Sequence, residues 1–324
     1  MTLRIVFDLS DRIVAVPQSW DELTVSQLAG AYAILMSDAS PVLEPSEVMW
    51  AKRLELFMFL ANTTEEELKA WRASCIEEHG LEDGHYVFLE EVDTVLGHFT
   101  HLLEEVPPPA DAAPDAAAIR AYQIKLGRTK APYLMLRDSE VGYEWHAPAD
   151  KLRNLTIYEL GQVFTLLESY LETQQPDLVD ELIATLYRPA KPATQSNIDS
   201  DYNGDIRLPL SGHETTVRYR LPHVRRMPEL AKQLILFWVA SCRQAIIDDY
   251  PNIFTPPEDQ PEGERVGNDY RWGGVIMSLA NDVTQIDQVA NGKWENTFVY
   301  LSFLEDRRKE EEMRRRLTQQ KAIV

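Results

Sequence analysis

Leu23-Thr24-Val25-Ser26-Gln27-Leu28 and Leu155-Thr156-Ile157-Tyr158-Glu159-Leu160 spell one helix start twice. In each, the threonine hydroxyl stands ready to accept a hydrogen bond from the backbone N–H three residues on. Gln27 or Glu159 reaches back to the threonine N–H, which completes a capping box. The leucine before each threonine, Leu23 or Leu155, stands where it packs on Leu28 or Leu160, a hydrophobic staple that sets how the chain enters the helix. The match continues through Ala29/Gly161, Tyr32/Phe164 and Leu35/Leu167 at helical spacing. Two helices are therefore begun and buried alike, and the fold is expected to be mainly α.

Outward from the first copy, Leu3 to Leu9 and Arg12 to Val16 are rich in Val, Ile and Leu around Ser10-Asp11, which predicts a β-hairpin feeding through Pro17 and Trp20 into the capped helix. Ser46 to Leu60 follows as an amphipathic helix, and Thr64 with Glu67 makes a third capping box for a helix toward Glu78. Another helix is expected from about Tyr86 to Glu105. Pro107 to Pro114 holds four prolines and little apolar bulk, the composition of a linker.

Beyond the linker, Ala116 to Leu126 predicts a short helix, and Tyr133 to Leu136 with Val141 to Trp145 a second hairpin, followed by the second capping box. Hairpin plus capped helix thus occurs twice, for which an internal duplication is the simplest account. The next helix gives way at Pro176 to one from Leu178 to Tyr187 that Pro189 and Pro192 stop, and a polar turn leads to an apolar helix from Glu229 to Tyr250. A second long loop spans Phe254 to Asn268, and helices near Trp272 to Ala280, Thr284 to Ala290 and from Trp294 onward finish the chain. The expected organisation is a multi-helix protein of two or three subdomains with two small β-hairpins: 1–106, 119–192 and 198–324.

With 324 residues, 44% of them hydrophobic, the chain is long enough to bury a good core. Thirty-two basic against 52 acidic side chains leave a net charge of −20, which repels phosphate backbones and anionic headgroups, so neither nucleic acid nor a membrane is an expected partner. Cys75 and Cys242 lie far apart in apolar helical patterns, which argues against a disulfide framework and for a reduced cytosol. The N-terminus lacks the uninterrupted apolar region of a signal peptide.

Candidate chemistry is sparse. Asp199, Asp201 and Asn203 with Gly204 and Ile206 match the start of an EF-hand loop, but Leu210 occupies the position of the bidentate glutamate, which favours a plain tight turn. His98 and His101, with Glu105 a turn further, share one face of a predicted helix, a metal-ligand spacing set in an otherwise solvated acidic surface. Asp248/Asp249 and Asp282/Asp287 are the pairings that 52 carboxylates produce by chance. Arg218, Arg220, Arg225 and Arg226 read as an internal ion-pair surface. No glycine-rich phosphate loop, G-x-S-x-G, H-E-x-x-H or Cys-x-x-Cys occurs. The chain is read as a non-enzyme with no cofactor.

The C-terminal stretch is more telling. From Trp294 through Gln320 there is neither proline nor glycine, and Glu305/Lys309, Glu310/Arg314, Glu311/Arg315 and Glu312/Arg316 stand at i, i+4 in acid-first order. Trp294, Phe298, Leu301 and Leu304 are expected to pack on the body. Beyond them only Met313 and Leu317 interrupt the charges, and seven basic against five acidic residues from Glu305 to Lys321 make this end locally positive. Met313, Arg314, Arg315, Arg316 and Leu317 are therefore the candidate partner-binding residues.

Trp20 with Leu23-Thr24-Val25-Ser26-Gln27, the helix end Leu186-Tyr187-Arg188-Pro189, Asp201-Tyr202-Asn203-Gly204-Asp205-Ile206-Arg207, and Trp272-Gly273-Gly274-Val275-Ile276-Met277-Ser278-Leu279-Ala280 before a charged helix together resemble helical proteins of bacteriophage tail-gene regions. The likeness is to those of Bacteroidetes phages and, among them, tail assembly chaperones. It implies a protein of the host cytoplasm that binds tape-measure or tail-tube proteins, with self-association as a further partner choice. A connector or ring subunit kept in the virion would carry the same features. A calcium- or metal-dependent module is the third class.

Overall fold

Thr24, Thr64 and Thr156 each start a helix by the reciprocal bonding their sequences dictate. Thr24 N–H donates to Gln27 Oε1 at 3.0 Å and Gln27 N–H to Thr24 Oγ1 at 3.2 Å. Thr64 N–H donates to Glu67 at 2.7 Å, and Thr156 N–H to Glu159 at 3.2 Å, each with the return bond at 3.2 Å. The staple leucines Leu23, Leu28, Leu155 and Leu160 are all buried.

The computed structural model describes residues 3–7, 12–17, 19–36, 45–97, 103–106, 121–124, 126–132, 136–137, 144–191, 205–210, 213–254, 271–280 and 282–323. The fold is mainly α. It divides into two compact units, Met1–Arg128 and Thr129–Val324.

In the first unit, β1 (Leu3–Phe7) and β2 (Arg12–Val16) pair antiparallel with Leu3 opposite Val16. Four helices follow: α1 (Val25–Met36), α2 (Pro45–Ala61), α3 (Glu65–His79) and α4 (Leu81–Gly97). Trp20, Leu28, Ala31, Leu35, Leu56, Phe57, Val92 and Leu96 are buried. The Arg128 guanidinium is buried too and donates to the Trp20 carbonyl at 2.6 Å. α3 and α4 pack against each other, and Gly84 allows it: a Cβ there would lie 2.4 Å from the Cys75 carbonyl oxygen.

Two expectations for this unit are corrected. The helix predicted to reach Glu105 is described over Leu81–Gly97, and Leu103–Val106 is instead a strand, β3, paired antiparallel with β4 (Ala121–Ile124), where a helix was predicted. The backbone bonds that β3 and β4 exchange across a long sequence gap outweigh the local helical tendency of both segments. The linker 107–114 lies outside the described residues.

In the second unit, β5 (Leu136–Arg137), β6 (Glu144–His146) and β7 (Arg188–Pro189) form a three-stranded antiparallel sheet, in which Trp145 faces Leu136 on one side and Pro189 on the other. The second hairpin is thus present and gains a third strand. The helices are α5 (Ile157–Thr173), α6 (Pro176–Leu186), α7 (His213–Arg225), α8 (Glu229–Asp249), α9 (Pro251–Phe254), α10 (Arg271–Leu279), α11 (Ile286–Ala290) and α12 (Trp294–Ile323). α7 corrects the expected polar turn. Its Val217, Arg220 and Val224 are buried at helical spacing, but Pro222 and the arginines between them mask the apolar period.

The core of this unit joins Leu160, Val163, Phe164 and Leu167 of α5 to Leu182, Ile183 and Leu186 of α6 and to Trp238, Val239, Cys242 and Ile246 of α8. By length and composition α8 would suffice to cross a membrane; here it is the central core helix. The indole N–H of Trp238 donates to the Thr129 carbonyl at 2.9 Å and that of Trp294 to the Leu152 carbonyl at 2.8 Å, so each large ring is buried with its polar atom satisfied. Gly161 faces Trp272, whose Cβ would be 2.7 Å from a side chain at that position. The Trp272 ring lies against Phe164, Phe254 and Phe298. Cys75 and Cys242 are both buried and unbridged.

Candidate functional site

The root of α12 is firmly held. Trp294 and Phe298 are fully buried, Leu301 packs on the core, and Asn252 of α9 donates to Ser302 Oγ at 2.7 Å and to Asp306 Oδ1 at 3.3 Å. Burying a ring such as Phe298 stabilises this anchorage by about 2–3 kcal/mol. The opposite face of the same turns has no such cover: Val299, Tyr300, Phe303 and Leu304 are all exposed, Phe303 by 54%. Leu304, expected to pack on the body, therefore belongs to an outward apolar face with Tyr300, four residues before it.

From Asp306 to Arg315 every residue is exposed, and Met313 reaches 63%. Arg314 Nη2 donates to Glu310 Oε1 at 2.6 Å, the acid-first pair expected. Two other acidic residues choose differently: Glu305 is gripped by Arg308 Nε and Nη2 at 2.9 and 2.7 Å rather than by Lys309, and Glu311 accepts from Arg307 at 3.3 Å. The planar guanidinium fork at i+3 fits the Glu305 carboxylate where an ammonium offers a point charge. Hydrogen bonding from Arg308 holds the Glu305 pKa below its ordinary value. Arg315 is exposed, while Arg316 and Leu317 continue the helix with side chains outside the described residues.

The metal candidates His98, His101, Asp199, Asp201 and Asn203 lie outside the described residues. Glu105, expected on a helix with the histidines, is in strand β3. Among the described residues no group of three or more His, Cys, Asp or Glu side chains is placed to hold a metal. The chance carboxylate pairs have structural partners: Asp282 caps Thr284 N–H at 2.7 Å, Asp249 pairs with Lys151, and Asp248 accepts from Gln244 at 2.9 Å.

Sequence reasoning missed a buried charge cluster in the second unit. Arg188 of β7 donates through Nη1 to Glu159 Oε1 at 2.6 Å and through Nη2 to Asp205 Oδ2 at 3.3 Å. Arg207 grips Asp205 side-on, with Nε to Oδ1 at 2.8 Å and Nη2 to Oδ2 at 2.7 Å, and its Nη1 closes on the Leu186 carbonyl at 2.6 Å. Burial works to raise the Asp205 pKa, but the hydrogen bonds and charge of Arg207, with the charge of Arg188, win and hold it below the usual carboxylate range. Both carboxylates are thus committed to guanidinium groups and are unsuited to act as bases.

Arg220 of α7 joins them at 4% exposure, and its Nε and Nη2 have no acceptor among the described residues. Burial first, then the charges of Arg188 and Arg207, lower its pKa to about 10. The expected ion-pair surface is therefore split: Arg225 reaches Asp177 at 3.2 Å, Arg218 and Arg226 are exposed, and Arg220 is buried. The sequence traces of the cluster were scattered: Glu159 in a capping box, Arg220 in an arginine run, and the motifs Leu186-Tyr187-Arg188-Pro189 and the Asp205-Ile206-Arg207 that ends the second. The Ala190–Arg207 bridge brings them side by side, with Leu208 N–H donating to the Pro189 carbonyl at 2.8 Å.

The outward apolar face and charged extension of α12 are thus the candidate site, and the buried cluster ties β7 and the 205–207 segment to α5. Comparison with protein-family models, curated proteins and solved structures finds no match.

Proposed function

We propose that this chain is a non-enzymatic phage tail assembly protein that engages a helical client, a tape-measure or tail-tube protein, through α12. The observation that carries the contact role is the outward face of Val299, Tyr300, Phe303 and Leu304 on a helix whose root is buried. Four large apolar side chains in adjoining turns are the anchors that a helix-to-helix contact uses. The phage setting is supported by the resemblance of the quoted motifs alone. A net charge of −20 keeps such a surface soluble and disfavours indiscriminate self-adhesion.

Mixing the full chain with its tape-measure neighbour tests this reading. The expected result is a soluble stoichiometric complex that is absent from finished particles, is retained when the chain is truncated after Leu304 and is lost in Phe303→Ser. Recovery of the chain in purified virions would instead favour a connector or ring subunit. Client binding that survives Phe303→Ser would overturn the role of α12.

A further inference from the structure

Glu310-Glu311-Glu312-Met313-Arg314-Arg315-Arg316 is a charge palindrome centred on Met313. We propose that α12 pairs antiparallel with α12 of a second copy of this chain, about a two-fold axis at Met313. The proposal rests on the reading of α12 as a contact helix and assigns its charged half to self-pairing, leaving the apolar face nearer the root to the client.

An isologous two-fold contact sets each residue against its mirror position in the partner. Met313 then meets Met313, Glu310 meets Arg316, Glu312 meets Arg314, and further out Glu305 meets Lys321. Helical period selects among these. Glu310 and Arg316 stand three residues either side of Met313 and share its face, Glu312 and Arg314 flank it, and Glu311 and Arg315 point away. A parallel pairing in register would set Glu310 on Glu310 and Arg314 on Arg314, so like charges reject it and opposite charges specify the antiparallel form.

Glu310 and Arg314 can exchange partners cheaply. The side chains of Glu310 and Arg314 are 61% and 74% exposed in their intrahelical pair, and exposed pairs of this kind contribute little, so trading that partner for one on another copy costs little. What the exchange adds is burial of the two Met313 side chains, each 63% exposed in the single chain. The positive balance of residues 305–321 also lowers the repulsion between two copies, each at −20, along this helix. Two paired copies would present their Val299–Leu304 faces at opposite ends of one rod, which lets a long helical client be held at two points.

Sedimentation of the full-length chain, with two block variants, tests the pairing. The wild type should self-associate, with at least about tenfold weakening between about 0.05 M and about 0.5 M salt. A variant carrying Glu310→Arg, Glu311→Arg and Glu312→Arg, and one carrying Arg314→Glu, Arg315→Glu and Arg316→Glu, should each be monomeric and form a 1:1 heterodimer when mixed. Met313→Cys should cross-link to itself under mild oxidation, whereas Tyr300→Cys should not. A wild type that stays monomeric at low salt, block variants that still self-associate, or cross-linking at residue 300 in place of 313 would overturn the pairing. The outcomes are separable: monomeric block variants that still bind the client leave the proposed function standing, and a dimer that binds no client leaves only the pairing.

Discussion

The capping box at Thr24 and the one at Thr156 make the same bonds and meet different fates. Gln27 uses one uncharged oxygen to cap Thr24 in a solvated setting. Glu159, buried to 6% exposure, caps Thr156 with Oε2 and gives Oε1 to Arg188, so one side chain both starts α5 and ties it to β7. A local rule that merely begins a helix in the first unit has been recruited into long-range architecture in the second. The charge at the third helical position separates the two uses, because a carboxylate neutralises a buried guanidinium whereas an amide oxygen only accepts its hydrogen bond.

Breaking that difference should produce the largest effect. Glu159→Ala leaves Arg188 buried with Asp205 alone, at 3.3 Å and shared with Arg207, and should cost the second unit about 3–5 kcal/mol in chemical denaturation. Glu159→Gln keeps an oxygen for the Thr156 cap while removing the charge, so the gap between the two variants separates the cap from the ion pair. Equal losses for Glu159→Ala and Gln27→Ala would erase the contrast.

A middle-sized effect of opposite sign is expected at Arg220. Three buried guanidinium groups, Arg188, Arg207 and Arg220, face two buried carboxylates, Glu159 and Asp205, so Arg220→Met removes the excess charge and should stabilise the fold by about 1–2 kcal/mol. The pH dependence follows from the lowered pKa. Above about 10 the folded state releases the Arg220 proton while the unfolded state keeps it, so this group's penalty fades as pH rises. The advantage of the methionine variant should therefore be full at neutral pH and shrink above about pH 10. An advantage that grows with pH would contradict the assignment.

The smallest effect belongs to Gln27→Ala, which removes one arm of an exposed box and should cost about 0.5–1 kcal/mol. A loss of several kcal/mol in thermal melting would mean that Gln27, like Glu159, has a hidden second partner.

These contrasts explain what could be read from the chain beforehand. Helix starts at Thr24, Thr64 and Thr156 were legible because donor and acceptor lie three residues apart, and the first hairpin because its strands are sequence neighbours. β3 and β4 were not, since Leu103 finds Ile124 across a long gap while each segment alone favours helix. Arg188, Glu159, Asp205, Arg207 and Arg220 come from separate elements, and their burial arises only on assembly. On α12 the charged extension with Met313 and Arg314 is exposed as its sequence suggests, but Leu304 was put on the wrong side, because a run of Val299, Tyr300, Phe303 and Leu304 beside Phe298 and Leu301 leaves the inward stripe underdetermined.

Seating Trp294 beneath Leu152 while the next 29 residues run on as one helix makes α12 a cantilever. Met313 lies roughly 17 Å beyond Ser302, the last turn held by the body, at the rise of an α-helix, so a tilt of about 10° there moves it through about 3 Å. The shaft stays stiff while its tip searches a volume, a geometry that widens the capture radius without disordering the surface that does the capturing.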